Sequence, residues 1–314
     1  MLEKHLTDAF LEYLKADRGC SAGTVVSYYE GLRALSDFVE TLDGRLRWTS
    51  LDADVLRRWI VAETERGMQP RTVGRELCAV RAFYRYLLLV GKTTKNPTVG
   101  VRAPKADRHL PVFYKEKEMN RLFDEVDFGD DYLGRRNRLI MLVFYTTGLR
   151  VSELCGLNVD DVDLSGGELK VTGKRNKQRI VPFGGELREN LRNFLPLRAA
   201  FVADDSPRPY VPVACVTPET HRALFLSRRK RRMTPQQVRA VVKHCLTGVT
   251  TQRKRNPHSL RHTFATVMLN NGADLEAVKE LLGHESITTT EIYTHTSLAD
   301  LKNAYMQAHP HAED

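Results

Sequence analysis

The sequence is short of the features that mark a secreted, membrane-spanning or metal-built protein. Its five cysteines, Cys20, Cys78, Cys155, Cys215 and Cys245, are scattered, odd in number and without a CxxC pair. That argues against a disulfide framework and a zinc ribbon, and predicts buried free thiols. No apolar run approaches the length of a membrane span. The opening MLEKHLTDAFLEYL mixes acids with its apolar residues and lacks the apolar block of a signal peptide. A cytoplasmic protein with no membrane partner is expected, and no internal repeat is evident.

What remains is an ordinary globular composition with a basic surplus. The length of 314 residues predicts two domains. The net charge of +9 suggests an anionic partner, because each Lys or Arg set beside a phosphate releases condensed counterions.

Residues 1–98 read as helices throughout, with Phe10, Leu11 and Leu14, then Leu32, Leu35 and Phe38, at helical spacing. Ser21 is placed to cap a helix that ends near Gly44. The helix QPRTVGRELCAVRAFYRYLLLVGK interleaves Arg71, Arg75, Arg81 and Arg85 with apolar residues. That row is either a solvated face or one that follows a phosphate backbone. KNPTVGVRAPKADRHLPVF, rich in proline and cations, reads as a linker, giving boundaries at 1–98, 99–113 and 114–314. A buried helix, RRNRLIMLVFYTTGL, stops at Gly148. ELKVT and RIVPF alternate like strands around the turn GKRNKQ. Helices return in GELRENLRNFL, PQQVRAVVKHCL, HSLRHTFATVMLNNG, DLEAVKELLG and SLADLKNAYMQA, the last with Ser297 and Asp300 spaced as a capping box. The fold class is mainly α with a small antiparallel β-sheet, in two domains.

Three places carry residues suited to chemistry. In HSLRH, Pro257 fits a helix start, and His258, Arg261 and His262 then share a face. Ser259 stands where a HExxH metalloprotease carries its glutamate, so no metal is expected; a basic group that grips an oxyanion and moves a proton is more economical. In TTGLRVSEL, Arg150 falls on the opening turn of a helix, where anions are favoured, with Glu153 three residues on to orient a cation. Taken alone, that pair is equally a surface ion pair. In GELKVTGKRNK, the Gly167 to Gly173 spacing is one residue too long for a phosphate-binding loop and Arg175 replaces its Ser/Thr, so no ATP site is supported. Lys174 at that hairpin tip is either solvated or able to reach into a DNA groove. Together these are parts for metal-free phosphoryl transfer: cations, proton movers and a late nucleophile.

TGLRVSEL, GK on a hairpin, HSLRHTFAT, LLGH and a tyrosine nine residues on occur in an order that resembles the tyrosine recombinases of the phage-integrase family. The likeness spans almost the whole chain, and the tail LKNAYMQAHP resembles the bacterial Xer-type chromosome-dimer resolvases. The resemblance implies a helical core-binding domain that clamps DNA, an interdomain linker, and a catalytic domain whose C-terminal helix, residues 297–308, docks on a neighbouring protomer through Leu298, Leu301 and Tyr305. That stripe is equally able to pack in cis. It also implies that Arg150 and Arg261 bracket the scissile phosphate, His258 is the general base, and Lys174 protonates the departing 5′-oxygen. His284 would bond to a phosphate oxygen, Glu153 support the cluster, and Tyr293 attack phosphorus. No cofactor and no metal are implied. The partners would be double-stranded DNA with paired half-sites and a synaptic tetramer, either of this chain alone or with a second recombinase.

The sequence departs from the pattern in residues 196–232, longer than the Xer counterpart and ending in the basic run RRKRR at 228–232. That run is either a solvated loop or an extra DNA-backbone contact. Arg175 also replaces the glycine usual after the hairpin lysine. Two other readings use the same fold: a DNA-binding protein that only recognises, and a topoisomerase-like relaxing enzyme. The complete basic set with its tyrosine argues against the first, and the motif spacing against the second.

Overall fold

Helical spacing in the first third of the chain becomes α1 (Lys4–Ala16), α2 (Ala22–Leu42), α3 (Ala53–Glu65) and α4 (Pro70–Leu89). The structure, a computed structural model, describes residues 3–42, 47–105, 112–173, 176–204, 217–283 and 298–312. Two units divide the chain, residues 1–109 and 110–314. In the first, Ser21 caps α2 by accepting from the Thr24 amide at 3.3 Å. Phe10, Leu32, Leu35, Trp59 and Phe83 meet in one core. The Tyr84 hydroxyl donates to the Trp48 carbonyl at 2.7 Å, tying α4 to a short 3-10 turn. Of the α4 arginines, Arg71, Arg75 and Arg85 are exposed, whereas Arg81 donates to the Val101 carbonyl at 2.6 Å.

The second unit contains α5 (Glu116–Asp124), α6 (Tyr132–Thr147), α7 (Val151–Gly156), β1 (Val162–Asp163), β2 (Glu168–Thr172), β3 (Gln178–Pro182), α8 (Gly185–Ala203), α9 (Pro218–Arg222), α10 (Pro235–Cys245), α11 (Pro257–Asn270), α12 (Leu275–Leu282) and α13 (Leu298–Ala308). Every residue of α6 from Leu139 to Thr147 is buried, as a helix apolar on all sides requires, and α8, α10 and α11 pack around it. The sheet is antiparallel in the order β1-β2-β3, with Leu169 opposite Val181 and Val171 opposite Arg179. β1 is too short to show alternation in the sequence.

Three expectations need correction. Helix α8 does not stop at Leu195 but runs through Pro196 to Ala203. An interior proline costs about 3 kcal/mol, and burial of Arg198, Phe201 and Val202 beyond it offsets that loss. RRKRR is neither wholly solvated nor wholly available to DNA. Lys230 is buried, with its ammonium donating to the Val202 carbonyl at 3.1 Å and to the Asp204 carbonyl. Arg232 donates to the Cys155 and Leu157 carbonyls at 2.9 and 3.0 Å, leaving Arg228, Arg229 and Arg231 exposed. Among the described cysteines, Cys155 and Cys245 are buried, but Cys78 is exposed, because Leu77 and Val80 take the inward positions of α4. Cys215 lies outside the described residues, as does the Ser297 cap. No helix among the described residues is long and apolar enough to cross a membrane.

Two residues of the apolar stripe of α13 pack in cis, and the side chain of the third, Leu298, lies outside the described residues. Leu301 and Tyr305 are buried with Phe264, Met268 and Val278 of α11 and α12. Past the helix, His309 is sealed in an aromatic nest of Tyr145, Phe264 and Tyr305. Its Nε2–H donates to the Tyr145 carbonyl at 3.2 Å, and its Nδ1 accepts from the His311 amide at 3.1 Å. Both nitrogens are satisfied only in the neutral ring. Burial therefore depresses its pKa to about 3, with the nearby His311 adding to the effect and the Tyr145 carbonyl and Glu186 opposing it. Glu186 itself is bonded to the His311 ring.

This makes docking of the tail sensitive to acid. A free histidine titrates at 6.5 and the docked one near 3, so the undocked tail gains the proton first as pH falls. Docking should weaken by about 1.4 kcal/mol for each pH unit below that free value. Hydrogen exchange of the α13 amides, corrected for intrinsic rate, should accelerate by roughly an order of magnitude per pH unit there. A His309→Phe protein should lose that dependence between the free histidine value of 6.5 and the free glutamate value of 4.5. Below the latter Glu186, raised by burial but lowered overall, in part by His311, still titrates.

Candidate active site

The site is assembled from turns that end or begin helices. α6 stops at Gly148, whose φ of +61° suits glycine, and a Cβ there would fall 2.6 Å from Phe264 Cδ1. The chain turns at once into α7, with Arg150 as its N-cap and Glu153 at the third position. Glu153 reaches back to accept from the Arg150 amide at 2.8 Å, the capping-box geometry. On α11, Asn256 caps the helix through the Ser259 amide at 3.0 Å, and Pro257 fixes its first residue. His258, Arg261 and His262 then project from one face. A cleft of about 530 Å³ opens between these two elements. Arg150 and Ser152 line one side, and His258, Arg261 and His262 the other, with Arg239 of α10 and Leu282 of α12 completing it.

Within this site, three arginines grip the end of α12. That helix ends at Gly283 in the left-handed region, φ +63°. Arg179 Nε donates to the Leu281 carbonyl at 3.1 Å, Arg261 Nη2 to the Leu282 carbonyl at 2.7 Å, and Arg150 Nη2 to the Gly283 carbonyl at 2.8 Å. The orphan carbonyls of a helix C-terminus take cations favourably. Arg261 also donates to the Gly148 carbonyl at 2.8 Å, joining the ends of α6 and α12. Each fork is thus held by two or more acceptors.

Glu153 is the counter-charge of the cluster. Its side chain is only 1% exposed, and Oε1 accepts from both Arg150 Nη1 and Arg179 Nη1 at 2.8 Å. Arg179 Nη2 bonds the other oxygen at 3.0 Å. Burial alone would raise its pKa, but the hydrogen bonds from Arg179 and the Arg150 amide outweigh that and hold it at about 2. Arg261 is lowered to about 10, first by burial and then by Arg150, so it stays charged at neutral pH. His262 is lowered by burial and by His258 beside it.

Of the residues singled out in the sequence, Arg150, His258 and Arg261 line this one cleft, and Glu153 sits behind it. Lys174, His284 and Tyr293 lie outside the described residues. Arg179 was missed. Its signal was the strand register: Leu169, Val171 and Val181 face inward, so the residue opposite Val171 does too, and a cation facing inward requires a partner.

Comparison with known proteins agrees in extent with this layout. A family model described as the phage integrase family matches residues 113–299, and one described as a phage integrase N-terminal SAM-like domain matches residues 7–91. A tyrosine recombinase XerC of Chlorobaculum tepidum is 38% identical, the match covering 96% of this chain and 94% of the relative. XerC of Mycobacterium sp. strain JLS is 40% identical, over 97% and 98% respectively. Among solved structures, a lambda integrase tetramer bound to a Holliday junction matches with a TM-score of 0.67 at 16% identity, covering 94% of this chain and 80% of that one. That last likeness is one of fold.

Proposed function

This chain belongs to the phage integrase family and is a tyrosine recombinase, and from that premise we propose how it cuts and rejoins DNA. The observation that carries the proposal is the convergence of Arg150, Arg261 and His258 on one cleft, with both guanidinium forks pinned in place. A scissile phosphate enters that cleft and takes the N–H groups left on the two arginines. Tyr293 loses its proton to His258 and its oxygen attacks phosphorus. The bond to the 5′-oxygen breaks, Lys174 supplies the proton that makes it a hydroxyl, and the DNA 3′ end is left on Tyr293. His284 donates to a phosphate oxygen. The 5′-hydroxyl of a partner strand then reverses these steps.

Each physical requirement has a residue. A phenol ionises near pH 10 in water, so it attacks at neutral pH only with a base or cations beside it. The pentacoordinate phosphorane gathers negative charge where preorganised donors stabilise it most. The phosphotyrosine keeps the energy of the broken bond, so neither ATP nor a divalent metal is needed. The substrate is duplex DNA carrying paired half-sites, joined in a tetramer of this chain or of this chain with a second recombinase. The solved relative that is a tetramer on a Holliday junction supports that assembly.

The test has two stages. Sequencing the DNA footprint of the Tyr293→Phe protein in cells should return inverted half-sites, and their location separates a chromosomal dimer site from the ends of a mobile element. A nicked duplex built on that site should then trap a covalent protein–DNA adduct with wild-type protein in EDTA and without nucleotide. Specific binding with no adduct would instead mark a recognition-only protein.

A further inference from the structure

We propose that Arg179 is a positioning residue for strand cleavage, holding Arg150, Arg261 and the end of α12 in one register through Glu153 and the Leu281 carbonyl. This rests on the recombinase reading above. Arg179 comes from β3, outside the elements that line the cleft, and makes bonds in two directions: two N–H groups to Glu153 and Nε to Leu281. The neighbours are shaped to it. A Cβ on Gly283 would stand 3.1 Å from Arg179 Nη1, and one on Gly173 would lie 3.5 Å from Glu153 Oε1 and 3.8 Å from Arg179 Nη1. The hairpin stem, the capping carboxylate and the α12 terminus therefore share one guanidinium.

The consequence lies in how Glu153 is divided. Its Oε1 is shared by Arg150 and Arg179, while Oε2 takes the Arg150 amide and the second Arg179 N–H. Without Arg179 the carboxylate is left, among the described residues, to Arg150. The favoured arrangement then is a bidentate pair, which draws the Arg150 fork off the Gly283 carbonyl and away from the cleft. The Leu281 carbonyl loses the Arg179 donor at the same time, and the three-arginine grip on α12 becomes a looser one. A lysine cannot replace this fork, since a point charge cannot hold carboxylate and carbonyl in fixed directions.

A reacting group misplaced by about 1 Å costs on the order of a hundredfold in rate, and that is the loss expected in adduct formation for Arg179→Ala. The measurement uses the full chain and the nicked duplex described above, with DNA affinity read in a Tyr293→Phe background. Arg179→Ala and Arg179→Lys should both lose rate while affinity is unchanged. The Glu153→Gln, Arg179→Ala double variant should be no slower than Glu153→Gln, because the two act as one unit. If Arg179→Ala does not fold, Arg179→Lys, which keeps the charge and most of the volume, carries the comparison. Wild-type cleavage by Arg179→Lys, losses that multiply in the double variant, or a fall in affinity matching the fall in rate each overturn the assignment. A wild-type protein that forms no adduct overturns the recombinase reading, and this inference with it, and so is told apart from a failure confined to Arg179.

Discussion

Arg261→Ala should lower the rate of adduct formation by on the order of 10²–10³-fold, the usual cost of removing one donor from a preorganised anion site. The loss should exceed that of an exposed cation because Arg261 serves twice. Its side chain is buried, and its two bonds join Gly148 at the end of α6 to Leu282 at the end of α12. Truncation removes charge from the cleft and also takes a donor from each of two carbonyls, a loss of about 1–3 kcal/mol wherever the carbonyl stays buried without one. A fall in melting temperature should therefore accompany the fall in rate. Arg261→Lys keeps the charge but cannot bond both carbonyls, so it should recover little of either. Time-resolved gels of adduct formation and a thermal melt, run on the same preparation, check the two effects together.

Glu153→Ala should have the largest effect on stability. It removes the carboxylate that two arginines share, and Arg179, with a side chain 18% exposed, is left without a counter-charge among the described residues. Breaking a buried pair in this way costs about 3–5 kcal/mol, or roughly 10 °C in melting temperature for a unit of this size. The pH dependence has a definite sign. The folded pKa is about 2, against 4.5 for a free glutamate. The stabilisation is therefore complete above the free value and is lost as pH falls toward the folded one. It amounts to on the order of 3 kcal/mol. Denaturant melts of wild type and Glu153→Gln should converge as pH falls through that window and stay apart above it.

Much of this layout is legible in the sequence. The helices stand out because their apolar spacing is strong and their ends carry ordinary caps: Ser21, Pro257 and Gly148 each sit where a boundary falls. Arg150, His258 and Arg261 stood out through motif order, and the fold supplies the reason they meet, since α7 follows directly on α6 and α11 packs against it. What local pattern could not show is where long-range acceptors lie. Lys230 and Arg232 read as a basic loop because nothing nearby in sequence reveals the carbonyls of Val202, Cys155 and Leu157 that they satisfy. Arg179 was hidden for the same reason, its partners lying 26 and 102 residues away. The continuation of α8 through Pro196 is likewise a tertiary effect, burial overriding local propensity.

The most direct measurement is identification of the amino acid that becomes joined to DNA. Wild-type protein is reacted with the nicked duplex, digested with protease and nuclease, and the nucleotide-bearing peptide is sequenced by mass spectrometry. A single peptide is predicted, with the 3′-phosphate of the DNA on the phenolic oxygen of Tyr293, and no such peptide from Tyr293→Phe. Linkage to any other residue, linkage through a 5′-phosphate, or an adduct that persists in Tyr293→Phe would contradict it.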